Sequence, residues 1–204
     1  MNNVKVPDAP WMHPSEINLI LNSINPNDVM LEWGCGGSTV LFSQHVKEYY
    51  SIEHNKEWYK QVTQKIKDKN LNNIKFFHVP TDDGIEKDFL SENEGQKLTH
   101  EERYKTYSKF PNQFGIKFNK ILIDGRARQF CVKECLSFLK KDGLVIFHDF
   151  WMQDRDRYRN AALQYFDEVA SIVYSSQTLA ILKLKPEYIN GDVNKIETIG
   201  LFNS

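Results

Sequence analysis

Apolar residues gather in short runs along the chain, and most of these runs end in glycine or in polar residues. A short apolar run bounded by turn residues predicts a strand, whereas apolar residues three and four positions apart predict a helix. The first predicted strand begins at Val29. Four more strands are predicted at Tyr49–Glu53, Ile74–Val79, Phe118–Asp124 and Leu144–Phe147. Helices are predicted between them, at Asn55–Lys69 and from about Gln129 to Lys140, and Asp142-Gly143 is predicted to form a turn.

The last third of the chain carries a different pattern. A helical segment at about Asp156–Gln164 is followed by two predicted strands, Phe166–Tyr174 and Leu179–Lys185. The link between the two strands is short, which predicts an antiparallel pair. The predicted fold class is therefore α/β: a Rossmann-like, doubly wound, mostly parallel seven-stranded sheet with an antiparallel C-terminal hairpin.

The chain is predicted to form one domain over residues 1–204. Residues 1–28 form an arm and a helix, and Ser15 is the expected N-cap of that helix. The arm carries Trp11 and either covers a ligand or packs on the sheet. Residues 85–117 are longer than an ordinary loop and predict an insertion with a helix at about Thr99–Ser108.

Composition and charge narrow the function classes. The 26 Lys and Arg residues nearly balance 27 Asp and Glu residues, which argues against a broad nucleic-acid surface. A local basic patch at Arg155, Arg157 and Arg159 remains open beside the alternative of a solvated helix face. No apolar run approaches the ~20 residues of a membrane span, and Met1–Pro7 lacks the apolar core of a signal peptide. A cytoplasmic protein is expected, and the oligomeric state, a homo-oligomer included, stays open.

A glycine turn follows the first strand. Gly34 and Gly36 allow the backbone to turn tightly and to approach a ligand where a Cβ would clash. Ser38 and Thr39 follow, and the free N–H groups of the next helix would face a carboxylate or a phosphate. This succession of strand, glycine turn and helix is typical of a nucleotide site.

An acid at the end of the second strand supports this interpretation. Glu53 is suitably placed to accept hydrogen bonds from ribose hydroxyls, although an acid there could also offset a helix dipole. The ribose interpretation is favoured because the strand, the glycine turn and the spaced acid coincide. A dinucleotide fingerprint is excluded, because Thr39 stands where the third glycine would be.

The stretch Glu32-Trp-Gly-Cys-Gly-Gly-Ser38, together with Glu53, resembles the first motif of the class I S-adenosylmethionine-dependent methyltransferases, with Ser38 in place of the last glycine. The resemblance extends from about Trp11 to Lys185 and implies S-adenosylmethionine as cofactor. The expected cofactor-binding residues are Glu32, Gly34, Gly36, Ser38, Thr39, Glu53, His54, Asp82, Asp83 and Asp124. His54 would lie against adenine, or is equally an ordinary loop residue. Asp82 or Asp83 would bind the adenine amino group, or else the two acids only form a turn.

Three polar residues at the tips of the fourth and fifth strands are the expected catalytic group: Asp124, His148 and Asp149. Ligands of open α/β sheets collect at such tips. Either His148 is a general base that titrates near neutral pH, or Asp124 and Asp149 bind Mg²⁺. The second option matches some small O-methyltransferases that the chain resembles, but Ala127 stands where some of them have a lysine. Alternatively, Asp124 caps a helix and His148 is an ordinary loop histidine.

The acceptor is expected to be polar. Asp124-Gly-Arg-Ala-Arg128 with His148-Asp-Phe-Trp151 resembles methyltransferase-like proteins, some of which are linked to glycan or glycoside methylation. The expected acceptor-binding residues are Tyr104, Tyr107, Arg126, Arg128 and Trp151. The sequence thus predicts an enzyme that methylates a hydroxyl of a sugar, glycan or other small polar acceptor. The alternatives are a nucleic-acid or protein methyltransferase, or a non-catalytic module that binds S-adenosylmethionine.

Overall fold

Seven strands form one sheet in a computed structural model that describes residues 5–85, 98–152, 155–174 and 177–190. The strands are β1 (Val29–Trp33), β2 (Glu48–Glu53), β3 (Ile74–His78), β4 (Phe118–Ile123), β5 (Leu139–His148), β6 (Phe166–Tyr174) and β7 (Gln177–Leu184). The helices are α1 (Pro14–Ser23), α2 (Gly37–Phe42), α3 (Lys56–Asp68), α4 (His100–Arg103), α5 (Lys105–Lys109), α6 (Arg128–Phe138), α7 (Asp156–Leu163) and α8 (Pro186–Asn190). In the described part of the chain no helix has both the length and the apolar character needed to span a bilayer.

The strand order is β3-β2-β1-β4-β5-β7-β6. The first five strands pair in parallel, whereas β7 pairs with β5 and β6 in antiparallel orientation. The predicted fold class is therefore confirmed. The register aligns Trp33 with Ile52 on one side and with Ile123 on the other, and Ile123 with Phe147. The tips of four parallel strands consequently end at one edge of the sheet.

The core lies on both faces of the sheet because the central strands are covered on both sides. Successive residues of a strand point to opposite faces, so Trp33 packs in one cluster and Met30 in the other. Trp33 is fully buried, and its indole N–H donates to the Tyr107 carbonyl at 3.1 Å. The burial of β1 on both faces explains why the mostly apolar run from Val29 is visible in the sequence.

The start of α1 and the chain before Leu144 differ from the predictions. The N-cap of α1 is His13 and not Ser15, because the His13 ring accepts from the Ser15 N–H at 3.2 Å while Glu16 accepts from the His13 N–H at 2.8 Å. The predicted turn at Asp142-Gly143 is wrong. These residues lie inside β5, where the register shifts between the partners of Phe118 and Lys120.

The predicted insertion contains helical structure, but in two pieces. The expected helix at 99–108 is divided into α4 and α5 at Tyr104, and Phe110–Phe114 adds a 3₁₀ turn. Thr99 and Glu102 form a capping box that fixes the start of α4. Residues 86–97 of the insertion lie outside the described residues.

Candidate functional site

The glycine turn brings two strand tips into backbone contact. Gly34 has φ +88°, and a Cβ built on it would lie 2.5 Å from the Cα of Gly125, which follows β4. A Cβ on Gly125 would in turn lie 2.2 Å from the Tyr107 hydroxyl. Neither position can accept a side chain, so backbone alone forms this part of the sheet edge.

A cavity of about 530 Å³ opens at this edge. It is lined by eight of the residues that the sequence singled out: Gly34, Glu53, His54, Asp124, Arg126, Arg128, His148 and Asp149. A smaller neighbouring cavity of about 60 Å³ is lined by Gly36, Ser38 and Asp124 together with the N-terminal arm. The predicted convergence of polar residues at the strand tips is thus present for these positions.

Glu53 lies on the cavity wall at the end of β2. Its carboxylate accepts from the N–H of Cys35 at 3.2 Å and of Asn55 at 2.8 Å, and it contacts the His54 ring nitrogen at 2.9 Å. Burial alone would raise the pKa of Glu53, but the hydrogen bond and charge of His54 and the backbone donors outweigh it. The pKa therefore lies below its usual value, and the cavity carries a fixed negative charge here.

Two tryptophans on the cavity wall are not among the predicted site residues. The helical spacing of α3 predicts Trp58 in the core, but its ring lines the cavity and its N–H donates to the Cys35 carbonyl at 2.7 Å. Trp11 is 64% exposed, and its ring lies 5.7 Å from that of Trp58. The position of Trp58 in the first turn of the helix after Glu53 could have indicated this, because that turn begins at the ligand edge of the sheet.

The arm that carries Trp11 is fixed at two points. Asp8 pairs with Lys65 of α3 at 2.7 Å. The backbone at Ala9 packs so closely on Gly37 that a Cβ there would lie 2.1 Å from the Ala9 carbonyl oxygen. Of the two interpretations left open by the sequence, the arm thus covers part of the cavity edge and also packs against the glycine turn.

Glu32 lies behind the glycine turn and does not line the cavity. Its fully buried carboxylate accepts from the hydroxyls of Thr39 at 2.5 Å and Ser51 at 2.7 Å. Burial raises the pKa of Glu32 to about 7, against the lowering effect of these hydrogen bonds. Thr39 also accepts from the Gly36 N–H at 3.1 Å. Both residues therefore hold the turn from below, which corrects the expectation of direct ligand contact.

Asp82 and Asp83 also lie away from both cavities. Asp82 accepts hydrogen bonds from the backbone and hydroxyl of Thr106. Asp83 pairs with the guanidinium of Arg103 at 2.9 Å, where both side chains are buried. The turn interpretation of these acids is supported, because their carboxylates hold the α4–α5 segment against the end of β3.

The predicted acceptor-binding aromatics are not on the cavity wall. Tyr104 and Tyr107 are fully buried and pack edge-on against the His54 ring. Burial raises the pKa of Tyr107 well above its usual value. Trp151 is partly buried beneath the Arg159 guanidinium, 4.8 Å from its ring. These aromatics are expected to contact an acceptor because polar neighbours surround them in sequence, but their rings turn toward the core.

His148 and Asp124 form a close pair at the tips of β5 and β4, with 2.7 Å between Nδ1 and Oδ1. On the other side of the ring, Nε2 lies 3.8 Å from the buried carboxylate of Glu16. Burial lowers the pKa of His148, but the charges of Asp124, Glu16 and Asp149 outweigh it and raise the pKa to about 10. With this pKa His148 is an imidazolium at neutral pH and already holds the proton that a general base would have to accept.

Arg128 connects the same strand tips from the first position of α6. Its guanidinium contacts Asp124 at 3.1 Å and Asp149 at 3.0 Å and donates to the carbonyl of His148. Arg155 contacts Asp149 as well, at 2.5 Å. Of the three arginines considered as a local basic patch, Arg155 thus contacts a residue of the cavity wall.

No family model matches the sequence, and no curated protein matches it. Among solved structures, the chain is similar to a methyltransferase-like protein from Silicibacter pomeroyi, with 18% identity, coverage of 96% of either chain and a TM-score of 0.64. A precorrin 8w decarboxylase from Methanobacterium thermoautotrophicum has 15% identity, with 88% of this chain and 95% of that chain covered and a TM-score of 0.60. An rRNA methylase from Streptococcus thermophilus has 9% identity, with 86% and 99% covered and a TM-score of 0.56. At these identities the likeness shows a shared fold.

Proposed function

We propose that the protein is an S-adenosylmethionine-dependent methyltransferase. The observation that carries the proposal is the joint position of the Gly34 turn and the Glu53 carboxylate on the wall of one cavity. A backbone turn without side chains and an acid at the tip of the next strand are what a nucleoside with a charged amino-acid tail requires. The likeness in fold to a methyltransferase-like protein is in agreement with this assignment.

The residues present fit the cofactor. Glu53 would bind the ribose hydroxyls, the backbone at Gly34 and Gly36 would approach the amino-acid tail, and Trp58 and His54 offer ring surfaces beside it. When bound, S-adenosylmethionine supplies an electrophilic methyl group. The protein itself must orient the acceptor, exclude water and receive a proton, and orientation can supply most of the rate.

We propose, as the finer assignment, a hydroxyl group of a sugar, glycan or other small polar molecule as acceptor. The cavity wall beside β4 and β5 carries the charged side chains Asp124, Arg126, Arg128, His148 and Asp149, so an apolar acceptor would displace water from charged groups without replacing its hydrogen bonds. Asp124 keeps 24% of its side chain exposed and is suitably placed to accept a hydrogen bond from a hydroxyl. The nearly balanced charge of the chain disfavours a nucleic acid.

Calorimetric titration with S-adenosylhomocysteine tests the cofactor assignment, with NAD as control ligand. Glu53→Gln should weaken binding by about ten-fold or more, because it removes the charge that accepts ribose hydroxyls. Glu48→Gln is the matched control, since Glu48 stands at the opposite end of the same strand and pairs with exposed Lys75. Binding of NAD, or no binding of either ligand, would refute the assignment.

A labelled-methyl assay tests the acceptor class. Sugar and glycan acceptors form one arm, and RNA and protein substrates form the other arms. Transfer to a hydroxyl of a small acceptor supports the finer assignment. Transfer to RNA or to protein nitrogen would refute it while leaving the cofactor assignment intact.

A further inference from the structure

Two acidic side chains at the tips of β4 and β5 share one guanidinium. Arg128 Nη2 lies 3.1 Å from Asp124 Oδ1, and Nη1 lies 3.0 Å from Asp149 Oδ2. These are the two acids considered above as ligands of Mg²⁺. The guanidinium thus occupies the interval between the carboxylates in which a bridging cation would have to lie.

Each of the two acids has a further side-chain partner. His148 Nδ1 contacts Asp124 at 2.7 Å, and Arg155 contacts Asp149 at 2.5 Å. Mg²⁺ requires free oxygen ligands at about 2.1 Å in octahedral geometry. The described residues also include no group of three or more His, Cys, Asp or Glu side chains that could hold a metal ion. The donor set therefore does not fit a divalent cation.

Arg128 is fixed in place by backbone groups. Its Nε donates to the Gly125 carbonyl at 2.9 Å, Nη2 donates to the Asp124 carbonyl at 2.8 Å, and Nη1 donates to the His148 carbonyl. The side chain is buried. A metal ion that displaced this guanidinium would leave a buried charge and three carbonyl groups without partners, which is costly.

Ala127 places Arg128 at the start of α6. It has φ +54°, a left-handed conformation that turns the chain sharply just before α6 and leads directly to Arg128. The guanidinium of arginine is a rigid plane with several N–H donors in fixed directions, so it can contact two carboxylates and several carbonyl groups at the same time. Lysine, which is a point charge on a flexible stem, could not make these contacts together.

We infer that Arg128 takes the place of a divalent cation at this site and aligns the tips of β4 and β5 without metal. Arg128 is thus a positioning residue that keeps Asp124 and Asp149 at a fixed separation beside the cavity. The inference concerns the charges of this chain alone and does not depend on methyltransferase activity.

Titration of the full chain with Mn²⁺, followed by electron paramagnetic resonance, tests the inference without cofactor or acceptor. We expect the wild-type protein to leave the free Mn²⁺ signal unchanged in the millimolar range. A stoichiometric loss of that signal that Asp149→Asn abolishes would overturn the inference. Asn suits this position because it tolerates the left-handed backbone, φ +60°, of Asp149.

A second variant tests whether the guanidinium itself keeps the cation out. Arg128→Met should gain Mn²⁺ affinity by about ten-fold or more relative to wild type, because two carboxylates lose their shared partner. Arg159→Met is the matched control, since it removes the same charge from a guanidinium that pairs with Asp156 of α7 at 2.7 Å, and it should show no gain. An equal gain in both variants, or none in a folded Arg128→Met protein, would overturn the inference. If Arg128→Met does not fold, the wild-type and Asp149→Asn titrations decide.

Discussion

Replacing His148 by Gln removes an imidazolium that lies between the carboxylates of Asp124 and Glu16. The pKa of His148 is 6.5 in its ordinary state and about 10 in the folded chain. Because the folded-state pKa is raised, the folded protein binds this proton more tightly than the unfolded chain does. The resulting stability is fully present below the unfolded pKa and is lost as the pH rises toward the folded pKa.

The size of the effect follows from the two pKa values. One pKa unit corresponds to about 1.4 kcal/mol, so the His148 contribution to the free energy of unfolding falls by about 2 kcal/mol between about pH 6.5 and about pH 8.5. Glu32 and the three cysteines also have raised pKa values and add to the decline. Their contributions are common to the wild type and the variant and cancel in the difference.

Urea unfolding at several pH values measures the effect. The wild-type free energy of unfolding should decline more steeply with pH than that of His148→Gln, by the amount just given. His45→Gln is the control, because His45 is exposed in the 3₁₀ turn after α2, and its curve should parallel the wild type. Parallel curves for the wild type and His148→Gln, or an NMR titration of the His148 ring with a midpoint near neutral pH, would refute the reasoning.

Three further substitutions test the surroundings of the cavity. Asp83→Asn breaks the buried pair with Arg103 and should lower the free energy of unfolding in urea by about 3 kcal/mol. The affinity for S-adenosylhomocysteine, measured by calorimetry, should not change. A large loss of affinity would mean that Asp83 contacts the cofactor. Gly37→Ala places a Cβ 2.1 Å from the Ala9 carbonyl oxygen. It should lower the free energy of unfolding by about 1–3 kcal/mol, and an unchanged thermal midpoint would show that the arm has room. Glu32→Gln removes a carboxyl whose pKa is raised from 4.5 to about 7. The wild-type protein loses stability as the pH rises through this range, whereas the variant does not. Relative to wild type the variant should gain about 3 kcal/mol between about pH 4.5 and about pH 8, and a constant difference would contradict the raised pKa.

The strands and their order are predictable because both faces of the central sheet are covered. Strands of this kind are continuous apolar runs, and the polar residue that ends each run marks the tip. Glu53, Asp124 and His148 can therefore be assigned to one edge from the sequence alone. The error at Asp142-Gly143 comes from a local turn signal that the pairing of β5 with β4 overrides. The error at Ser15 is a shift of two residues, because the local capping box uses the His13 ring.

The direction of individual side chains cannot be predicted in the same way. Tyr107 turns inward because Gly125, distant in the chain, leaves room for its hydroxyl. Arg128 folds back over its own helix start because three carbonyl groups and two carboxylates converge there. Asp83 is occupied by Arg103 from the insertion. Each outcome depends on a partner that only the folded chain brings near, and no pattern of spacing contains it.

The N-terminal arm and the first turn of α1 meet parts of the chain that are synthesised at very different times. The ring of Trp11 packs beside Trp58, but His13 stacks on Tyr174 with 4.2 Å between ring centroids, and Glu16 faces His148. A chain that emerges from the ribosome residue by residue thus makes the arm well before these partners. β6 joins the sheet only through β7, which is made after it. The arm therefore reaches its final contacts only after β7 has been made, and ligand binding during synthesis would report completion of the sheet.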